Sequence, residues 1–193
     1  MASSRSVLGL AALVLALAAC ATGTTSSTPG APTGSWTQTA DGRIAVSDPG
    51  VLGYSVTIPA GWGLATGASP SQAAAQIAPR DGGSVAEIGI ARFVAGETPE
   101  RTVLRLAQRV APTTDAAQSP STLAPIPLQS GGGRRAHVYS IPQRATERVV
   151  VVALIAESGV WAYQILNAAS RNAYDRSMPL MRNIIASYRA EAR

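Results

Sequence analysis

The sequence contains no lysine: all 16 of its basic side chains are arginine. That removes a Walker A lysine, a Schiff base with substrate or pyridoxal phosphate, and a lysine general base. There is one cysteine, Cys20, and one histidine, His137, so a zinc site with several Cys or His ligands cannot be assembled. A disulfide within the chain and a dithiol redox pair are excluded for the same reason. The D-x-D spacing that opens a calcium loop is missing as well, and neither a metal nor a cofactor is expected. For nucleophilic catalysis only His137 with a serine and a carboxylate remains. It sits mid-strand in Arg135-Ala136-His137-Val138-Tyr139, and no G-x-S-x-G elbow exists. None of the 11 acids is arranged as a glycosidase pair. The expectation is a protein that is not an enzyme.

What is present begins with Cys20 itself. Residues 1–5 form a short n-region with one charge, Arg5, and residues 7–19 are an unbroken apolar stretch too short to span a bilayer as a stable helix. The stretch Leu17-Ala18-Ala19-Cys20 resembles the bacterial lipobox, in which the cysteine thiol is diacylated and the signal is cut just before it. The expected organisation is a signal peptide over 1–19, then the lipid-attachment residue Cys20 and a tether over 20–35, then a globular domain over 36–193. Each buried acyl CH₂ contributes about 0.8 kcal/mol, and stable anchoring needs more than one chain. Cys20 is followed by Ala21 rather than Asp. In a cell with two membranes, the usual sorting pattern then favours the periplasmic face of the outer one.

Removing residues 1–19 from the 193 leaves 174, enough for one domain with a sizeable core, and loss of Arg5 lowers the formal charge from +5 to +4. The arginines are dispersed without aromatic interleaving, so no nucleic-acid partner is expected. Residues 21–35, rich in Thr, Ser, Gly and Pro, offer too little apolar surface to offset the entropy of ordering them. Such a tether spans roughly 20 Å as a flexible coil.

The fold is expected to start near Trp36. Residues 43–47 and 53–58 read as strands about the turn Asp48-Pro49-Gly50, and Pro59-Ala60-Gly61-Trp62 ends the second. Residues 74–78 and 85–94 flank Arg80-Asp81-Gly82-Gly83 and predict a hairpin; in its second strand Val85, Glu87, Gly89, Ala91 and Phe93 share one face. Thr98-Pro99-Glu100 is a helix start, followed by a buried stripe of Val103, Leu106, Ala107 and Val110. Arg101, Arg105 and Arg109 line the other side as a solvated face. Pro112 ends this helix, and residues 113–125 read as a loop.

Strands are then predicted over 126–129, 135–141 and 147–156, with Gly131-Gly132-Gly133 as a hairpin turn rather than a phosphate cradle, since no GK[ST] follows. Residues 149–156 are apolar on both faces and predict a central strand covered on both sides. Glu157-Ser158-Gly159 turns it into a strand over 160–166. Tyr174, Met178, Met181, Ile185 and Tyr188 then form a helical stripe destined for the core. Pro179 either kinks that helix or lies in the first turn of one capped by Ser177.

Tyr54-Ser55-Val56-Thr57-Ile58-Pro59-Ala60-Gly61-Trp62, the helix after a hairpin, the apolar strand pair and the ending Ile184-Ile185-Ala186-Ser187-Tyr188-Arg189 together resemble the PsbP-like fold. That domain is shared by photosystem extrinsic proteins and bacterial lipoproteins of the DcrB and LpqN types. The resemblance covers roughly residues 53–189. It implies a single α+β domain, an antiparallel sheet packed between helices in an α/β/α sandwich, and it carries over no catalytic residue. Val56, Ile58 and Trp62 are then core residues. The expected function is that of a lipid-anchored cell-envelope protein that binds another envelope protein or assists assembly. The alternative is a module that binds a small molecule or lipid.

Overall fold

A computed structural model describes residues 32–48, 52–66, 74–143 and 146–191. Cys20, the signal segment 1–19, tether residues up to 31 and most of the turn after Asp48 lie outside the described residues. Strands are β1 Pro32–Thr33, β2 Ser35–Gln38, β3 Arg43–Asp48, β4 Leu52–Thr57, β5 Trp62–Leu64, β6 Ala74–Pro79 and β7 Ser84–Arg92. Helix α1, Pro99–Val110, follows; then come β8 Ser121–Pro127, β9 Arg135–Pro142, β10 Val149–Glu157, β11 Val160–Ala168, helix α2 Arg171–Ala186, and β12 Arg189–Ala190. The molecule is a single-domain α+β structure of antiparallel sheets packed with helices, as the sequence implies.

The large sheet has the order β5-β6-β7-β11-β10-β9-β8, with β1 alongside β7, and a smaller one runs β12-β4-β3-β2. Strand β10 explains the layering. Val149, Val151, Ala153 and Ile155 bury against α2 and the small sheet, while Val150, Val152 and Leu154 bury on the α1 side. A strand with no polar face is stable only between two apolar layers, which is the central position predicted for it. Tyr54 joins the two sheets through the core, its buried hydroxyl donating to the carbonyls of Gly89 and Tyr163 at 3.0 and 3.1 Å.

Helix α1 starts as its sequence predicts. Thr98 caps it, accepting from the Arg101 N–H at 3.4 Å, and Pro99 opens the first turn. Val103, Leu106 and Ala107 are buried, each larger apolar side chain contributing about 1.5–3 kcal/mol. The chain leaves the helix at Ala111, just before Pro112. Helix α2 is capped by Ser170, which accepts from the Ala173 N–H at 3.2 Å, and it runs through Pro179. Of the two arrangements open in the sequence, the continuous helix is the one adopted. Ser177 is therefore not a cap; its hydroxyl pairs with Ser84 at 2.9 Å. Met178, Met181, Trp62 and Val56 are core residues, and Ile58 packs against them.

Two expectations are corrected. Pro32 and Thr33, expected in the tether, form a strand that pairs with Ala91 and Ile90, extending the edge of β7 beyond β6. Thr33 Oγ1 donates to Asp48, and β2 adds to the small sheet, so backbone pairing overrides a composition that reads as tether. Residues 121–125, assigned to a loop, join Ile126 and Pro127 of the predicted strand in edge strand β8. Its prolines, Pro125 and Pro127, lack N–H donors and mimic loop chemistry, but an edge strand tolerates them, and a bulge lies between Leu123 and Ile126.

Candidate functional site

The densest polar cluster lies where the last turn of α1 crosses the large sheet. On β7, Glu87 points to the α1 side between Val85 and Gly89. Its neighbour on that face, Gly89, has no side chain, and Tyr163 from β11, directly opposite in register, fills the space. A Cβ on Gly89 would lie 2.5 Å from Tyr163 Oη. Tyr163 Oη donates to Glu87 Oε1 at 2.9 Å. Arg109 reaches the same carboxylate with both ends of its fork, Nη1 donating to Oε2 at 2.8 Å and Nη2 to Oε1. Nη2 also donates to Tyr163 Oη at 3.0 Å, and the guanidinium carbon lies 5.5 Å from the Tyr163 ring centre.

Glu87 is buried, with a side chain 5% exposed, whereas that of Arg109 is 34% exposed. A carboxylate so placed is retained only with its charge paired and its oxygens hydrogen-bonded, and this fork and phenol supply both. Burial opposes the charge of Arg109, but the hydrogen bonds and charge interactions with Glu87 and Tyr163 together outweigh it and raise the pKa. Burial, then the Glu87 charge, pushes the Tyr163 phenol well above its usual range. The carboxylate accepts on both oxygens from groups that stay protonated near neutrality, so its chemistry is spent on holding α1 to the sheet.

A cleft of about 320 Å³ opens beside this cluster, lined by Gln76, Val85, Glu87, Arg109, Val110, Ile165 and Asn167. Asn167 Nδ2 donates to the Val110 carbonyl at 3.1 Å, satisfying the end of α1. Its Oδ1 is buried without a partner among the described residues. The cleft thus combines three aliphatic side chains, one charge pair and two side-chain amides.

Arg109, expected in a solvated stripe, is exposed and is also the partner of a buried acid. Arg105 leaves that stripe, donating to Glu97 from Nε at 3.0 Å and from Nη2 at 2.8 Å; this hydrogen bonding holds the Glu97 carboxyl below the usual carboxylate range. Arg101 and Arg109 keep the exposed positions assigned to them, Arg109 while pairing with Glu87, and Arg105 is half-buried. His137 is exposed on β9, with no hydrogen-bond partner among the described residues. No group of three or more His, Cys, Asp or Glu that could hold a metal occurs among the described residues.

A second polar cluster ties the end of α2 to the β10–β11 turn. Tyr188 Oη donates to Glu157 Oε1 at 2.7 Å, and Arg134 Nη2 donates to Glu157 and to the Ala156 carbonyl. Burial raises the pKa of the Tyr188 phenol. At the C-terminal end of β7, Phe93 is 42% exposed and stacks obliquely on half-buried Trp161, ring centres 4.9 Å apart. The sequence signals for Glu87 and Phe93 were available in the β7 face pattern. That Arg109 and Tyr163 converge on Glu87 was not, because the contact needs the strand order β7-β11 and the crossing of α1.

No family model matches the chain, and no curated protein does. Among solved structures, the chain is similar to the solution structure of cyanobacterial PsbP (CyanoP) from Synechocystis sp. PCC 6803. The TM-score is 0.41 at 12% identity, covering 84% of this chain and 95% of that one. A crystal structure from Bacteroides thetaiotaomicron VPI-5482 also has a TM-score of 0.41, at 9% identity, covering 72% of this chain and 45% of that one. No helix among the described residues is long and apolar enough to cross a membrane.

Proposed function

We propose that this chain is a cell-envelope lipoprotein, anchored through acylated Cys20, whose domain works by contact with another envelope protein rather than by catalysis. The observation that carries this reading is the closed Glu87–Arg109–Tyr163 circuit. There acid, base and phenol meet, and each is committed to another, as they are in the Glu157–Arg134–Tyr188 cluster. In a two-membrane cell Ala21 directs the anchor to the periplasmic face of the outer membrane. Affinity purification from detergent-solubilised envelopes, at native expression level, is expected to recover one defined partner in stoichiometric amount. Repeated recovery of the chain alone would overturn the protein-binding reading.

The cleft beside Arg109 favours a second reading, a module that holds a small neutral ligand. Native mass spectrometry of the purified protein then shows added ligand mass, removed by Gln76→Ala combined with Asn167→Ala. A clean unliganded mass speaks for the first reading.

A further inference from the structure

We infer that the Phe93–Trp161 pair is the part of the domain that rests on the lipid bilayer, as a shallow aromatic contact at headgroup level. This rests on the proposed acylation of Cys20. Pro32, the first described residue, is in register with Ala91 of β7, and Ala91 is in register with Trp161 of β11. The three form one row across three adjacent strands, so Trp161 lies roughly 10 Å, two strand spacings, from the point where the chain from Cys20 enters the domain. Phe93 continues the same face of β7 beyond Ala91, toward the end of the strand to which antiparallel β1 points its N-terminal side.

Residues 21–31 connect Cys20 to Pro32 and, at full extension, reach at most about 40 Å. Acyl chains in the bilayer therefore limit the distance of this end of the sheet from the headgroups to about 40 Å. An exposed aromatic pair elsewhere on the surface would have no such neighbour. Here the pair is the only phenylalanine of the chain and the least buried of its three tryptophans, with Trp36 and Trp62 both in the core. Phenyl and indole rings are the side chains that partition to the membrane interface.

The test uses the full chain, processed in a bacterial envelope and reconstituted into phosphatidylcholine–phosphatidylglycerol vesicles with acyl chains brominated near the headgroup. The vesicles are floated on a gradient before tryptophan emission is read. The expected result is flotation, together with quenching of part of the emission relative to unbrominated vesicles. That quenching is lost in Trp161→Phe and reduced in Phe93→Ser, while both variants float and keep the native circular dichroism. A chain that floats with unquenched Trp161 overturns the inference and leaves the anchor standing, and the patch would then belong to a protein partner. Equal quenching in the parent and in Trp161→Phe also overturns it, since the lipid contact would lie at Trp36 or Trp62. A chain that does not float, with Cys20 unacylated, overturns the anchor reading and the inference with it.

Discussion

Tyr163 occupies the volume that a side chain at Gly89 would need. The two residues face each other across β7 and β11, and the phenol that lies over the glycine is the one that meets Glu87. A Gly89→Ala substitution places a methyl against Tyr163 Oη and against the Ala74 Cβ, 3.1 Å away. It is expected to destabilise the domain by about 1–3 kcal/mol, the range for overpacking a filled site. Chemical denaturation of the two proteins checks this. Equal midpoints would show that Tyr163 can leave the glycine at no cost.

Arg109→Met leaves the Glu87 carboxylate buried with one partner, the Tyr163 hydroxyl. Loss of one member of a buried pair costs about 3–5 kcal/mol, and the lower end applies because Arg109 is open on one side. Replacing both, Glu87→Gln with Arg109→Met, is expected to cost less than Arg109→Met alone. Additive losses in the double-variant cycle would contradict a direct coupling between them.

Burial pushes the phenols of Tyr54 and Tyr163 well above the ordinary value of about 10, and raises those of Tyr188 and Tyr139. The folded state therefore keeps these protons after the unfolded chain has lost them. Their contribution to stability is fully present below pH ~10 and falls as pH rises beyond it. Absorbance titration at alkaline pH is expected to show fewer than the five tyrosines ionising before circular dichroism is lost, the rest appearing only with unfolding. Five phenols titrating reversibly in a folded protein would contradict the assigned burial.

Gln164 on β11 is fully buried, and neither of its amide atoms has a partner among the described residues. An unpaired buried polar group costs about 1–3 kcal/mol, so Gln164→Leu, close in size, is expected to raise stability by a similar amount. A loss of stability would mean that the amide is satisfied by a buried water.

The elements that could be read from the sequence are those whose own residues determine them. The cap and stripe of α1, the two-faced apolar β10 and the β6–β7 hairpin depend on local spacing, and they stand within a residue or two of expectation. What escaped depends on partners distant in the chain. Pro32–Thr33 has tether composition and is ordered by the open edge of β7. The first part of strand β8 hides behind Pro125, which an edge position tolerates. Arg109 looks like any helix-surface arginine until the fold brings Glu87, 22 residues earlier, beneath it. Glu87 was the visible half of that pair, a lone acid on a strand face of small and apolar residues.

The central claim, an acylated domain held at a membrane surface, is tested most directly by the intact mass of the mature protein extracted from its native membrane. The account predicts a polypeptide beginning at Cys20 and carrying the added mass of a diacylglyceryl group, with or without a further acyl chain. An unacylated chain recovered from the aqueous fraction would contradict it.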